Sequence, residues 1–141
     1  MPSSAQSDAR SPSPYPFHWV WAWGPAVLYA ATLFTLSSFS ALPSPPIGIS
    51  DKVEHFAAYA GFALTLLWGL SSARLSAASW RTALEAVTLA SLYGVTDEIH
   101  QYFVPGRSCD VRDWIADTSG AALAVAVGLL ITRVVRRARA D

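Results

Sequence analysis

The feature that most constrains this chain is an apolar run over residues 19–42 that contains no charged residue. A helix rises about 1.5 Å per residue, so this run is long enough to cross the roughly 30 Å hydrocarbon core of a bilayer. Trp19, Trp21 and Trp23 stand at its start, which is typical of the aromatic belt at a membrane interface. The run therefore predicts a first transmembrane helix.

Three further helices are predicted downstream, separated by prolines, a Pro-Gly turn and charged residues. They cover residues 51–70, about 80–103, and a last segment from near Asp110 to the basic C-terminus. The uncharged core of the third helix, residues 86–96, is about half the length that a lone span needs, so we expect neighbouring helices to shield it. No strand pattern of period two is present, and the predicted fold class is all-α, an integral membrane bundle of four transmembrane helices.

Composition supports this class and excludes others. The chain is 52% apolar and 14% charged, well below the charged fraction of about 25% in soluble domains. Its formal net charge is zero and no basic stripe is present, which argues against nucleic acid as a partner. We predict a disordered tail over residues 1–18, a membrane domain over 19–135 and a basic cytoplasmic tail over 136–141.

Charge also predicts the orientation of the helices. In a four-span arrangement one side of the membrane collects the basic residues Arg10, Arg74, Arg81, Arg133, Arg136, Arg137 and Arg139. The other side collects Asp51, Glu54, Asp97, Glu98, Asp110, Asp113 and Asp117 together with Lys52, Arg107 and Arg112. The positive-inside rule makes the first side cytoplasmic, so both termini are expected in the cytoplasm.

The acidic side includes the segment most suggestive of a site, residues 96–120, which holds half of the acidic residues of the chain. Ionisable groups within spans are costly and mark functional positions. On ideal helices Asp51, His55 and Tyr59 share one face, and Asp113 and Asp117 share another. These faces predict a polar site built by the second, third and fourth helices.

Two motifs carry a family resemblance: DKVEHFAAYAGF at residues 51–62 and DEIHQYFVPGRSCDVRDWIADTSGA at residues 97–121. Their order and separation resemble those of the VanZ-like family of small multi-spanning bacterial membrane proteins, from residue 51 to about residue 130. The matching positions are Asp51, Lys52, His55, Phe56, Tyr59, Asp97, Glu98, Gln101, Pro105, Gly106, Arg107, Asp113, Asp117, Thr118 and Gly120. The resemblance implies a multi-pass protein of the bacterial inner membrane, and the family's namesake is associated with resistance to the glycopeptide teicoplanin.

The first functional interpretation is recognition of a lipid-linked or cell-envelope headgroup at the outer face. Arg107 and Lys52 would contact the anionic group, because a guanidinium can hold two phosphate oxygens at once. Expected partners are membrane lipids and a lipid-linked envelope precursor or a glycopeptide, and no metal or cofactor is predicted. The ligand-binding candidates are Asp51, Lys52, His55, Tyr59, Asp97, Glu98, Gln101, Arg107, Asp113 and Asp117.

Two alternatives stay open at this point. The charged cluster is a structural lock if Lys52 and Arg107 only neutralise the acids and hold the helices together. The protein is instead an intramembrane metal-dependent hydrolase or transferase if the imidazole and carboxylate groups are catalytic. That set would be His55, Asp97, Glu98, His100 and Asp117, although His100 points roughly 200° away from Glu98 on an ideal helix. Whether the protein is an enzyme is left open.

Overall fold

The computed structural model describes residues 18–40 and 50–139, and this part of the chain is helical apart from its turns. It contains four α-helices: α1 (His18–Ser37), α2 (Asp51–Leu70), α3 (Trp80–Tyr102) and α4 (Val111–Ala138). A short 3₁₀ turn, Leu75–Ala77, lies between α2 and α3. The all-α prediction is confirmed. The predicted N-terminal tail as far as residue 17 and the end of the basic tail, residues 140–141, lie outside the described residues.

Three helices, α1, α2 and α4, are long and apolar enough to cross a membrane. The 23-residue α3 is long enough, but it carries Arg81, Glu85, Asp97 and Glu98, which agrees with its short uncharged core. Large apolar side chains on the helices face outward, and Leu28 is 70% exposed in the isolated chain. Such a surface is typical of helices whose outer face is covered by lipid.

Small residues bring the helices into close contact. A Cβ atom at Gly120 of α4 would overlap the carbonyl oxygen of Phe56 in α2 and lie 2.9 Å from its carbonyl carbon. Only glycine allows this approach, and α2 and α4 form the most extensive helix pair among the described residues. Four alanines at the helix contacts are completely buried: Ala63, Ala86, Ala90 and Ala121.

Helix α1 packs mainly on α2 and is tied to the bundle by two hydrogen bonds to its backbone. The Trp68 indole donates to the carbonyl oxygen of Trp21 over 3.0 Å. The Tyr93 hydroxyl donates to the carbonyl oxygen of Ala30 over 2.7 Å, which joins α3 to α1. These bonds use carbonyl groups that are already part of the helix, so they add contacts without opening it.

The up-and-down arrangement separates the charges into two ends. The end of α1, the start of α2, the end of α3 and the start of α4 meet at one end, which we call the acidic pole. Its acidic residues are Asp51, Glu54, Asp97, Glu98, Asp110, Asp113 and Asp117. At the opposite end Arg136 donates to the carbonyl oxygen of Ala78 over 3.4 Å, so the end of α4 lies beside the connection between α2 and α3.

Candidate functional site at the acidic pole

Lys52, in the first turn of α2, organises the outer part of the acidic pole. Its ammonium group lies 3.0 Å from Asp110 Oδ2 and 3.5 Å from Asp51 Oδ2, and it also contacts Asp113 Oδ1. The Asp113 side chain is 7% exposed, so Lys52 neutralises an acid that is almost removed from solvent. This outer group ties the start of α2 to the start of α4.

Asp110 caps α4 and belongs to the same group, although the sequence-based set of ligand candidates omits it. Its side chain accepts a hydrogen bond from the backbone N–H of Arg112 over 2.9 Å, as an N-cap residue does. This bond and the hydrogen bond from Lys52 lower the pKa of the Asp110 carboxyl below its usual value. The sequence signal for this role is its place at the predicted start of the fourth helix, near Asp110.

His55 and Asp117 form the inner part of the site. His55 Nδ1 lies 3.0 Å from Asp117 Oδ1, and the Asp117 side chain is completely buried. On the other side of the ring, His55 Nε2 lies 3.9 Å from Asp51 Oδ1. The imidazole therefore stands between an exposed acid and a buried one, and it links the outer group to the interior.

The end of α3 contributes three buried polar residues to the inner site. Glu98 is 4% exposed, and its Oε2 accepts a hydrogen bond from the backbone N–H of Asp110 over 2.7 Å. Gln101 Nε2 donates to Asp97 Oδ2 over 3.1 Å, so this pair is satisfied within α3. The carboxyl groups of Asp97 and Glu98 are thus held at the inner site beside the His55–Asp117 pair.

Tyr59 lies at the inner site, one turn after His55 along α2. It is 1% exposed, and its ring packs at right angles to Phe62 with centroids 6.1 Å apart. A Cβ at Gly94 would lie 3.2 Å from Asp117 Oδ2 and 3.4 Å from Tyr59 Cε1, so both side chains meet at this glycine. Its small size leaves room for both. The Tyr59 hydroxyl has no hydrogen-bond partner among the described residues.

Arg107 and His100 turn away from the inner site toward α1. Arg107 Nε donates to the carbonyl oxygen of Phe39 over 3.2 Å, and Arg107 forms no salt bridge within residues 18–40 and 50–139. His100 Nε2 lies 3.0 Å from Ser38 Oγ, and its ring lies 4.4 Å from that of Phe34. The predicted direction of His100, away from the pocket, agrees with these contacts, whereas the expected pairing of Arg107 with acids is not found there.

The site has an outer and an inner part, and the two parts differ in their chemistry. The outer group is an ion-pair network around one lysine, and the inner group is an imidazole with carboxyl groups removed from solvent. Within residues 18–40 and 50–139, two sets of three residues place potential metal-ligand atoms within 4.8 Å of one another. They are Asp51, His55 and Asp113, and His55, Glu98 and Asp117. Both sets share His55, so its imidazole is the centre of any metal chemistry here.

Comparison with known proteins gives one positive result. No curated protein and no solved structure is similar enough to count as a match. A model of the VanZ/LLP1 family, in contrast, matches residues 2–132, which is nearly the whole chain. The match includes both motifs that build the acidic pole, in agreement with the resemblance seen in the sequence. The chain belongs to the VanZ/LLP1 family.

Proposed function

We propose that this protein spans the bacterial inner membrane four times, with the acidic pole outside and both termini in the cytoplasm. The separation of charge between the two ends supports this orientation, because loops rich in arginine stay in the cytoplasm. Within the described residues the end opposite the acidic pole carries Arg74, Arg81, Arg133, Arg136, Arg137 and Arg139. Arg81 Nε pairs with Glu85 Oε1 over 3.1 Å, so the one acid that the described residues place near this end is neutralised locally.

At the outer face, the protein recognises the anionic headgroup of a lipid-linked cell-envelope component, and Arg107 is its main contact. The observation that carries this proposal is the state of the Arg107 guanidinium. It is partly exposed, and it makes only the bond from Nε to the Phe39 carbonyl among the described residues. None of the described residues accepts a hydrogen bond from the two terminal nitrogens of its fork, and we expect these nitrogens to bind phosphate oxygens, a pairing that guanidinium groups favour.

Of the two roles that the sequence leaves open for Lys52, its contacts favour the structural lock over contact with the headgroup. Three acids surround its ammonium group, so it has little positive charge left to offer an incoming anion. It acts as the lock between α2 and α4, and headgroup contact is left to Arg107. We further propose that, in the cell, this binding contributes to envelope maintenance, including resistance to glycopeptides such as teicoplanin.

The experiment is native mass spectrometry of the full-length protein purified in mild detergent, comparing wild type with Arg107→Ala and Arg112→Ala. Arg112 is an exposed arginine at the same pole, so it serves as the matched control. We expect a co-purifying phospholipid or polyprenyl phosphate in wild type and in Arg112→Ala. In Arg107→Ala its occupancy should fall by about tenfold or more, because hydrogen bonds to charged groups contribute about 1.5–3 kcal/mol.

Two results would overturn the proposal. Equal lipid occupancy in all three folded proteins would show that Arg107 is not the contact. The second result is a loss of function in Arg107→Ala that is explained by lower membrane abundance, while each molecule binds as much lipid as wild type. In that case the acidic pole would have only the structural role of a helix lock. Arg107→Lys separates charge from fork geometry, and we expect it to recover only part of the binding.

A further inference from the structure

We propose that His55, Glu98 and Asp117 bind a divalent transition-metal ion in the interior of the acidic pole. The three residues come from α2, α3 and α4, and their ligand atoms lie within 4.8 Å of one another. One bound ion would therefore connect the three helices that build the site. Three protein ligands with an open position are the usual set in metal sites that also bind a further group.

The carboxylate oxygens of this set favour binding of a cation. Glu98 Oε2 accepts from the Asp110 backbone and Asp117 Oδ1 lies beside His55, so one oxygen of each acid is occupied. The other two, Glu98 Oε1 and Asp117 Oδ2, are buried and accept no hydrogen bond from a nitrogen or a hydroxyl among the described residues, and near Glu98 there is the Cys109 thiol, which is only a weak donor. Buried polar atoms are normally paired, and a single cation between the two acids would satisfy both.

Tyr59 provides an independent observation from a side chain that is not acidic. Its hydroxyl is buried and unpartnered within the described part of the chain. Tyr59 Cε1, which neighbours the hydroxyl-bearing carbon, and Asp117 Oδ2 both lie against Gly94. The edge of the ring next to the hydroxyl and the free carboxylate oxygen therefore border the same interior space. A bound ion, or a water on that ion, would give this hydroxyl a partner.

The charge balance of the inner site also calls for a cation. Asp97, Glu98 and Asp117 are buried there, and the imidazole of His55 is the nearest basic group in the described structure. In the described part of the chain, Lys52 pairs only with the outer acids. The alternative set of Asp51, His55 and Asp113 is less suitable, because Lys52 already neutralises Asp113 and the Asp51 side chain is 57% exposed.

The donor atoms select the class of metal. An imidazole nitrogen with two carboxylates suits Zn²⁺ or Mn²⁺, whereas Mg²⁺ and Ca²⁺ prefer shells made only of oxygen. With Nδ1 bound to the ion, His55 would carry its proton on Nε2, and Nδ1 would no longer donate to Asp117 Oδ1, so this oxygen would also be available to the ion. Asp51 Oδ1 lies 3.9 Å from His55 Nε2, beyond hydrogen-bond distance, and a small movement of this exposed side chain would let it accept from Nε2, as acids beside metal-bound histidines do.

The test is titration of the full-length protein in detergent, after removal of metal with a chelator, with Zn²⁺ and separately with Mn²⁺. We expect wild type to bind about one ion per chain, the capacity of a site with one imidazole and two carboxylates. Glu98→Gln and Asp117→Asn should each weaken binding at least tenfold, the lower limit of roughly 10- to 100-fold seen when supporting residues of metal sites are changed. Glu54→Gln changes an exposed acid on α2 and should bind like wild type.

The proposal is overturned if wild type binds neither ion, or if Glu98→Gln remains helical by circular dichroism and binds as tightly as wild type. Binding of Mg²⁺ alone would also overturn it, because His55 would then not be a ligand. If both variants unfold, X-ray absorption spectroscopy of zinc-loaded wild type decides, and a spectrum without imidazole scattering counts against the site. No lipid is needed for these measurements, so their outcome is separate from that for Arg107.

Discussion

His55 Nδ1 lies 3.0 Å from Asp117 Oδ1, and this contact joins α2 to α4 at a carboxyl group that solvent does not reach. The same imidazole has an exposed acid, Asp51, 3.9 Å from its other nitrogen. One side chain thus has a buried and an exposed acidic partner. The two partners allow the effect of burial to be measured at a single residue.

We expect Asp117→Ala to lower the free energy of unfolding by about 3 kcal/mol, because it leaves His55 without its buried partner. Asp51→Ala should cost less than about 1 kcal/mol, since an exposed pair is screened by water. Equilibrium unfolding in detergent, with a chelator present to remove any metal, measures both. Equal losses in the two variants would contradict the assignment of His55–Asp117 as the structural pair.

Lys52→Met tests the lock at the start of α2. The change keeps much of the apolar stem but removes the ammonium group from three acids, one of which is nearly buried. We expect a loss of about 1–2 kcal/mol in the free energy of unfolding, less than for a fully buried pair because Lys52 is partly exposed. Arg112→Ala, at an exposed basic residue nearby, should change stability by no more than about 0.5 kcal/mol. A Lys52→Met protein as stable as wild type would rule out the lock.

Gly120→Ala tests the close contact of α2 and α4. The new methyl group would overlap the Phe56 carbonyl oxygen, and backbone atoms cannot move aside as a side chain can. We expect thermal melting to show a loss of about 3 kcal/mol, the upper part of the range for overpacking. In Gly128→Ala the methyl group would lie 3.5 Å from Leu64 Cδ2, an ordinary contact, so this control should be close to neutral. Equal behaviour of the two variants would argue against the close approach.

Asp110 predicts a pH dependence of stability. Its pKa is lowered in the folded protein by the Arg112 N–H and by Lys52, so folding favours its ionised form. The resulting stabilisation is fully present when the pH is above 3.8, the ordinary pKa of the carboxyl group. It is lost as the pH falls through the lowered pKa that Asp110 has in the folded protein. The difference in free energy of unfolding between wild type and Asp110→Asn should therefore be constant near neutral pH and shrink below about pH 4. If the difference in free energy of unfolding grew as the pH is lowered, the prediction would be wrong.

The helices were predictable because their limits are marked locally. The predicted bounds of α2, residues 51–70, agree with the structure, and α3 ends at Tyr102, one residue before the predicted position. The partners of the charged residues were not predictable, because they depend on how the helices rotate against one another. Arg107 illustrates this. Gly106 before it has a φ of +81°, and the turn at this glycine leaves Arg107 beside Phe39, just after the end of α1.

The close contacts through Gly120 and the buried alanines have a consequence for any ligand of the acidic pole. Such helices approach at backbone distance and have little freedom to slide or rotate, since small side chains leave few alternative packings. The donors and acceptors of the pole are consequently preorganised during folding. A ligand that fits them loses little affinity to the ordering of side chains, and one that does not fit finds no adaptable surface to accommodate it.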